Sequence, residues 1–292
     1  MNNLRGIIFM LIAMAGFAIE DAILKILARD LPISELLIIV GLGGFLMFFS
    51  VAVARRKPIF SPHMRNKPFA ARFVSDIFAP LFFLPALALI PLATVTSILQ
   101  ATPILVTMGA ALFLKERVGW RRWSAIIIGF IGVLIVVRPG MEGFHPGSIL
   151  AVIGVLFLAC RDLSSRLIPA ELSSSTVTAY AFFASIIAGG IALPFFDPLI
   201  WPEPAHWPLL IASIFIGGIA YFFIVLATRV GDVAVIAPFR YSRLLFALLI
   251  AVTVLNEYPD LQTLFGATII IGSGLYTFWR ENPRREPPAS ST

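Results

Sequence analysis

Residues 232–257 read DVAVIAPFRYSRLLFALLIAVTVLNE, an apolar stretch that could span a bilayer but is interrupted by two arginines. Arg240 and Arg243 are three residues apart, so a helix presents both on one face. An arginine near the centre of a membrane helix costs about 2.5–3.5 kcal/mol, so the two cost roughly 5–7 kcal/mol unless something compensates. Pro238 removes a backbone donor near the start of the stretch and loosens the helix there. Two interpretations follow: this face lines a polar cavity, or both arginines pair with acids inside a helix bundle.

The composition assigns the chain to the membrane proteins. Hydrophobic residues make up 59% of its 292 residues, charged residues make up 13%, and the mean hydropathy is +0.94. Soluble domains carry roughly a quarter charged residues, so this chain cannot expose its helical faces to water. At about 20 residues per span there is room for ten spans with short loops.

Apolar runs and turn signals predict ten membrane spans and a polar, Pro-rich tail at 281–292 that we expect to be disordered. The spans are predicted at 5–27, 33–54, 69–90, 91–113, 122–138, 147–168, 174–195, 207–228, 233–255 and 261–279.

The distribution of Lys and Arg predicts that both termini are cytoplasmic. Sixteen of these residues then lie on the inner side: Arg5, Arg55, Arg56, Lys57, Arg65, Lys67, Arg72, Lys115, Arg117, Arg121, Arg122, Arg166, Arg229, Arg280, Arg284 and Arg285. Only three lie outside, namely Lys25, Arg29 and Arg138, and such an asymmetry is what the positive-inside rule requires.

An internal repeat underlies this arrangement. A shift of 141 residues aligns identical or similar residues of the two halves: Gly6 with Gly147, Asp21 with Asp162, Lys25 with Arg166, and Glu116 with Glu257. Each half then contains five spans. Because five is odd, the second half enters the membrane in the opposite orientation, as in the inverted repeats of many secondary transporters.

The ends of both halves resemble a known family. The first half contains ATP at 101–103, FLKER at 113–117, GFIG at 129–132 and RPG at 138–140. The second contains RYSR at 240–243, NEYP at 256–259, Gly266, and GSG at 272–274. These motifs resemble those of EamA-type repeats, two of which make up the ten-helix branch of the drug/metabolite transporter superfamily. That branch includes bacterial exporters of amino acids and other small metabolites.

The resemblance covers residues 4–280 and implies two five-helix repeats, 1–140 and 141–280, around a central cavity. The position that matches Pro103 in the second half is Leu244, so no kink is expected there.

Intramembrane charges are the candidate functional residues. Asp21, with Glu20 beside it, lies late in the first span, and Asp162, next to Arg161, lies late in the sixth. Asp76 lies about two turns into the third span. The acids and arginines could neutralise one another as structural ion pairs. Alternatively, a carboxylate isolated in a low dielectric has a raised proton affinity and could couple transport to protons.

A carboxylate-binding site is predicted in the ninth span. Arg240 and Arg243 fall on uncharged residues of the first half, so only the second half is cationic at this depth. Arginine binds carboxylates through paired hydrogen bonds, to which Tyr241 and Gln100 could add their own. We expect Arg243 to bind the substrate and Arg240, nearer the cytoplasmic end, to be structural. A zwitterion would also need an acceptor for its ammonium group, and Asp76 and Asp162 are the candidates.

These observations favour a secondary transporter over an enzyme or a channel. The histidines His63, His145 and His206 lie in loops or at span ends, and no zinc, dinucleotide or P-loop motif is present, so we predict no cofactor and no metal site. We therefore predict an all-α integral membrane protein of the inner membrane that moves small metabolites, amino acids above all, by alternating access, as a monomer or weak dimer, and that binds no nucleic acid. Export as the direction of transport is implied by the family resemblance alone. The alternative is an importer or exchanger of another small organic anion or a nucleoside-like metabolite.

Overall fold

The computed structural model describes residues 3–116, 118–169 and 172–281 of the chain. Within these ranges the regular elements are all helices, and no strand occurs. The predicted disordered tail lies outside the described residues except for Glu281, which ends the last helix.

The described residues form twelve α-helices: α1 Asn3–Leu27, α2 Ile33–Ala54, α3 Lys67–Leu89, α4 Leu92–Leu99, α5 Thr102–Phe113, α6 Trp120–Val137, α7 Gly147–Ser165, α8 Ser174–Ala192, α9 Trp207–Val230, α10 Val233–Ile236, α11 Ser242–Thr253 and α12 Leu261–Glu281. Two 3-10 helices, Pro62–Arg65 and Ala237–Tyr241, lie between them. Helices dominate because a backbone in lipid must satisfy its own hydrogen bonds.

Eight stretches of the described chain are apolar and long enough to cross a membrane, with α4 and α5 together counting as one. Their surfaces agree with contact to lipid. On α1, for example, Leu4, Ile8 and Ile12 are exposed at a spacing of four residues and form one apolar stripe.

The fourth and ninth predicted spans are not continuous helices. The first breaks at Gln100 and Ala101, between α4 and α5. The second consists of α10, the 3-10 helix Ala237–Tyr241 and α11. Pro238 lies in this 3-10 helix, as expected for a residue that lacks a backbone donor. Both breaks therefore leave backbone groups in the interior of the bundle, as the discontinuous helices of transporters do.

The main helix contacts join the two halves of the chain. The helix α1 packs on α9, and α3 packs on α7, which is the same contact after a shift of 141 residues. The other two large contacts, α2 with α8 and α6 with α12, each join a helix to its own repeat counterpart. This pattern is that of a two-fold relation between the halves.

Small residues allow these helices to approach closely. A Cβ on Gly132 of α6 would press against the backbone of Gly266 on α12, and one on Gly189 of α8 against the backbone of Ser34 on α2. Both fit van der Waals packing in a membrane. A Cβ on Gly190 or Gly272 would have no neighbour within 4 Å, so close packing does not account for every glycine of these helices.

The buried apolar residues are unevenly distributed along the bundle. One continuous cluster covers the ends of α1 and α3 and the start of α4, with Leu27, Leu87 and Leu92, and it extends along the bundle to Val106 of α5 and Ala159 of α7. Two smaller clusters, around Met10 and Met14 in α1 and around Phe69 in α3, lie nearer the starts of these helices. We call the end of the bundle where α1 finishes the Lys25 end, and the opposite end, where α7 finishes, the Arg166 end. The two small clusters lie towards the Arg166 end.

Candidate substrate site

A buried ion pair joins α1 to α11. Nη2 and Nε of Arg243 lie 2.6 Å and 3.2 Å from the same oxygen, Oδ2 of Asp21. The guanidinium also lies 5.2 Å from the ring centroid of Phe17, a cation–π contact. The side chains of Asp21 and Arg243 are only 6% and 18% exposed. The chain thus neutralises Arg243 internally, and we call this group, together with Glu20, the Asp21 site.

A second charged group occupies the repeat-related position on α7. Nε and Nη2 of Arg161 donate to Oδ1 of Asp162 at 3.0 Å and 2.8 Å. Nη2 of Arg240 approaches Oδ2 of the same carboxylate at 3.7 Å, too far for a good hydrogen bond. The side chain of Arg240 is 42% exposed. A charged ligand could therefore reach Arg240 without first breaking a tight pair.

The helix α3 adds two further charges to this second group. Nε of Arg72 lies 3.4 Å from Oδ2 of Asp76, one turn along the helix. Arg72 also donates a hydrogen bond to Oγ of Ser165, whose hydroxyl donates to the carbonyl of Arg161 at 2.5 Å. Arg72 lies in the second turn of α3, within the span predicted at 69–90, although we counted it among the cations of the inner side. The five charged residues Arg72, Asp76, Arg161, Asp162 and Arg240 form what we call the Asp162 site.

Gln100 and Tyr241 lie where the two broken segments meet. Nε2 of Gln100 donates to the backbone carbonyl of Tyr241 at 3.0 Å, and both residues are buried. The hydroxyl of Tyr241 lies against Gly274 of α12. Because the two residues are also aligned by the 141-residue shift, this hydrogen bond joins matching points of the two halves. The predicted role of both as substrate hydrogen-bonding groups is therefore less favoured than a role in joining the segments.

Glu20 was noted in the sequence only as the neighbour of Asp21. Among the described residues its carboxylate forms no hydrogen bond or ion pair, and it lies against Gly217 of α9, where a Cβ would overlap it. The 141-residue shift aligns Glu20 with Arg161 and Gly217 with Asp76. Comparing the two halves position by position could have identified Glu20 as an acid at a position where the other half has an arginine.

The division of roles that we expected between the two arginines is not the one that the distances favour. We expected Arg243 to bind substrate and Arg240 to be structural. Arg243 instead holds the short, enclosed pair with Asp21, and Arg240 makes the long, accessible one. Which carboxylate each arginine contacts depends on how the helix is rotated, and a spacing of three residues does not determine that rotation.

Known proteins of the same organisation match the chain over nearly its whole length. The model of the EamA-like transporter family matches residues 4–138 and 145–279, which are two repeats. The S-adenosylmethionine uptake transporter of Rickettsia conorii is 26% identical and covers 95% of this chain and 94% of its own length. The riboflavin transporter of Rhizobium johnstonii is 24% identical, and the match covers 97% of this chain and 94% of the length of that transporter.

A solved crystal structure supports the fold. It superposes with a TM-score of 0.60 over 94% of this chain and 99% of its own length, at 19% identity. The two relatives above are both transporters, one of them named for uptake, and neither is named as an amino-acid exporter. The chain is a multi-pass membrane protein and belongs to the EamA-like transporter family, within the drug/metabolite transporter superfamily.

Proposed function

We propose that this protein carries a nucleoside-like metabolite, bearing both a cationic group and a carboxylate, into the cytoplasm by alternating access. The observation that carries the proposal is the accessible guanidinium of Arg240, held loosely at 3.7 Å from Asp162. A substrate carboxylate can take the place of that contact and form a charge-assisted hydrogen bond.

The carboxyl group of Glu20, which forms no ion pair within the described residues, can provide the opposite charge when a cationic substrate approaches. The Asp21 site has one more carboxylate than guanidinium, and the Asp162 site has one more guanidinium than carboxylate. A substrate that bears both a cationic centre and a carboxylate complements both sites. S-adenosylmethionine carries both groups, because its sulfonium joins the adenosine to an amino acid that bears the carboxylate.

Aromatic side chains could hold the base. Phe9, Phe17, Phe223, Phe239 and Phe246, on α1, α9, the 3-10 helix and α11, pack around the Met10 cluster. Planar rings of a nucleoside stack on such side chains in offset or edge-on arrangements. The relatives named for S-adenosylmethionine and riboflavin, two molecules with planar ring systems, favour this substrate class over the amino acids that we expected.

The proposal includes a topology and a repeat division. We propose ten spans with both termini in the cytoplasm of a bacterial inner membrane, and repeats at 1–140 and 141–280. The charge count and the packing of each half on the other support it. With Cys160 replaced by serine, an impermeant thiol reagent should label Glu203→Cys in intact cells and Lys67→Cys only after the cells are opened. Labelling of Lys67→Cys in intact cells would overturn the orientation.

Uptake into liposomes tests the function. Purified protein reconstituted with and without a pH gradient is supplied with labelled S-adenosylmethionine, riboflavin or a panel of amino acids. We expect saturable uptake of S-adenosylmethionine, competed by unlabelled nucleosides and absent from protein-free liposomes. Uptake of amino acids alone would reinstate the amino-acid hypothesis and refute this one. A dependence on the pH gradient would indicate proton coupling.

A further inference from the structure

A buried lysine joins α1 to the end of α3 and to the segment that follows α11, at the Lys25 end of the bundle. Nζ of Lys25, in the last turn of α1, donates to the carbonyls of Leu87 at 2.9 Å and Ile90 at 2.6 Å, where α3 ends. The same Nζ lies 3.2 Å from Oε1 of Glu257, which follows α11. The ammonium thus uses its three donors on three acceptors from two other parts of the chain.

The carboxylate of Glu257 completes the connection. Its Oε2 accepts a hydrogen bond of 2.7 Å from the backbone N–H of Leu92, the first residue of α4. A carboxylate is stabilised at a helix N-terminus, whose first N–H groups have no partner within the helix. Glu257 belongs to the second repeat, and Lys25, Leu87 and Leu92 belong to the first. The ends of α1, α3 and α4 therefore cannot separate from the second repeat without losing these bonds.

The opposite end of the bundle also carries a basic and an acidic residue at the aligned positions, but without the same bonds. The 141-residue shift aligns Lys25 with Arg166, and Glu257 with Glu116. In the described part of the chain Arg166 and Glu116 are both exposed, and they form no ion pair with each other. The continuous apolar cluster covers the Lys25 end and extends along the bundle as far as Val106 and Ala159, whereas the buried apolar residues near the starts of α1 and α3 form separate small clusters. The bonds of Lys25 and Glu257, together with this continuous packing, close the Lys25 end.

We propose that the Lys25–Glu257 pair locks the Lys25 end shut, and that Arg166 and Glu116 form the equivalent lock when the protein adopts its other state. In an inverted repeat the two states are related by the pseudo-two-fold axis, because each half takes the conformation that the other half had. The exchange of one lock for the other keeps one end sealed at each stage. This inference rests on the proposed transport by alternating access.

Accessibility of a buried cysteine tests the lock without any substrate. Ala18 lies two turns before Lys25 on the same face of α1 and is fully buried. With the exposed Cys160 replaced by serine, we measure how fast an impermeant thiol reagent, added from the Lys25 side, modifies Ala18→Cys. Lys25→Gln should raise this rate by about tenfold to a hundredfold, as expected when charge-assisted hydrogen bonds to one state are lost.

Two further variants make the result specific. Glu257→Gln keeps an oxygen for the N–H of Leu92 but loses the charge, so we expect a smaller increase in the labelling rate than with Lys25→Gln. Arg138→Gln is the matched control: Arg138 pairs with Asp260 between α6 and α12, so its loss should leave the rate unchanged. Cysteines at Arg166 and Glu116 should be cross-linked faster by a short bifunctional reagent when Lys25 is also replaced.

The outcomes separate the lock from the transported substrate. An unchanged labelling rate in Lys25→Gln, with the protein still monodisperse and as thermostable as Arg138→Gln, would overturn the lock. So would an equal increase in the Arg138→Gln control. An increase confined to the lock variants, in a protein that takes up no nucleoside-like compound, would leave the lock standing and reject only the proposed substrate.

Discussion

The Asp21 site and the Asp162 site occupy repeat-related positions but differ in composition and enclosure. Each contains an aspartate late in the first helix of its repeat. At the Asp21 site one arginine is held tightly at 2.6 Å and is nearly enclosed. At the Asp162 site two arginines share the carboxylate, one at 2.8 Å and the other, the accessible Arg240, at 3.7 Å. The fold repeats while the chemistry does not, so one site can be structural and the other available to a ligand.

The difference continues into the neighbouring helices. At the Asp162 site Asp76 of α3 lies within electrostatic range of Arg161. The 141-residue shift aligns these two residues with Gly217 and Glu20, a glycine in place of the acid and an acid in place of the arginine. The missing side chain at Gly217 makes the space that the Glu20 carboxylate occupies. Symmetric helices can thus present opposite charge to the two ends of one substrate.

The largest expected effect is the loss of the Asp21 pair. Asp21→Asn leaves the guanidinium of Arg243 buried without a charged partner, and breaking such a pair costs about 3–5 kcal/mol. Thermal unfolding in detergent should show a large drop in Tm. The matched variant Asp162→Asn should lose less, because Arg161 and Arg240 are both partly exposed.

Equal losses of stability in the two variants would contradict the contrast between the sites. The same pair of variants, together with Asp76→Asn, also tests proton coupling. If transport against a gradient continues in all three, then these acids are structural and do not carry the coupling proton.

The second effect concerns affinity. Arg240→Gln should weaken substrate binding by about tenfold to a hundredfold, corresponding to a charge-assisted hydrogen bond of about 1.5–3 kcal/mol, and should leave thermal stability close to that of the parent. Arg243→Gln should instead lower the thermal stability and leave substrate binding close to that of the parent, because it leaves the buried Asp21 unpaired. The measurement is the Tm in detergent with and without S-adenosylmethionine.

Two results would refute this assignment. If Arg240→Gln retains the full stabilisation by ligand, then Arg240 does not bind the carboxylate. If Arg243→Gln is as stable as the parent but is no longer stabilised by ligand, then the roles of the two arginines are exchanged and our sequence-based expectation was right.

The sequence predicted the helices better than the contacts between them. The apolar runs and turn signals located α1, α2 and α6 to within about three residues, because length and hydrophobicity decide a membrane helix. Pro238 marked the irregular start of the ninth predicted span. Pro103, one residue into α5, was the corresponding signal for the break at Gln100 and Ala101, since proline is tolerated in the first turn of a helix.

The partners of the charged residues were beyond the reach of the sequence alone. The cost of an intramembrane arginine predicts that a compensating group exists, but which acid supplies it depends on how each helix is rotated. Lys25 was counted only as an outer cation, although its ammonium group is buried against the end of α3. Its alignment with Arg166, and that of Glu257 with Glu116, was the signal that could have shown its importance.

The smallest expected effect lies outside the charged interior, at the start of α12. Asp260 accepts the backbone N–H of Thr263 at 2.7 Å, which caps the helix, and it pairs with Arg138. The hydrogen bond from Arg138 lowers the pKa of Asp260 to about 2. A carboxyl group with a lowered pKa contributes stability above its unfolded value of about 4, and this contribution is lost as the pH falls towards 2.

Asp260→Asn keeps the cap and removes only the charge. Because the carboxylate is 54% exposed, solvent screening limits the loss of stability to about 1 kcal/mol or less. The Tm difference between parent and variant should be constant from about pH 7 to pH 5 and should narrow below about pH 4. Arg138→Gln should show the same small, pH-dependent loss. A difference that widened on acidification would mean that Asp260 is stabilised in its protonated form, and that the pair with Arg138 does not hold α6 to α12.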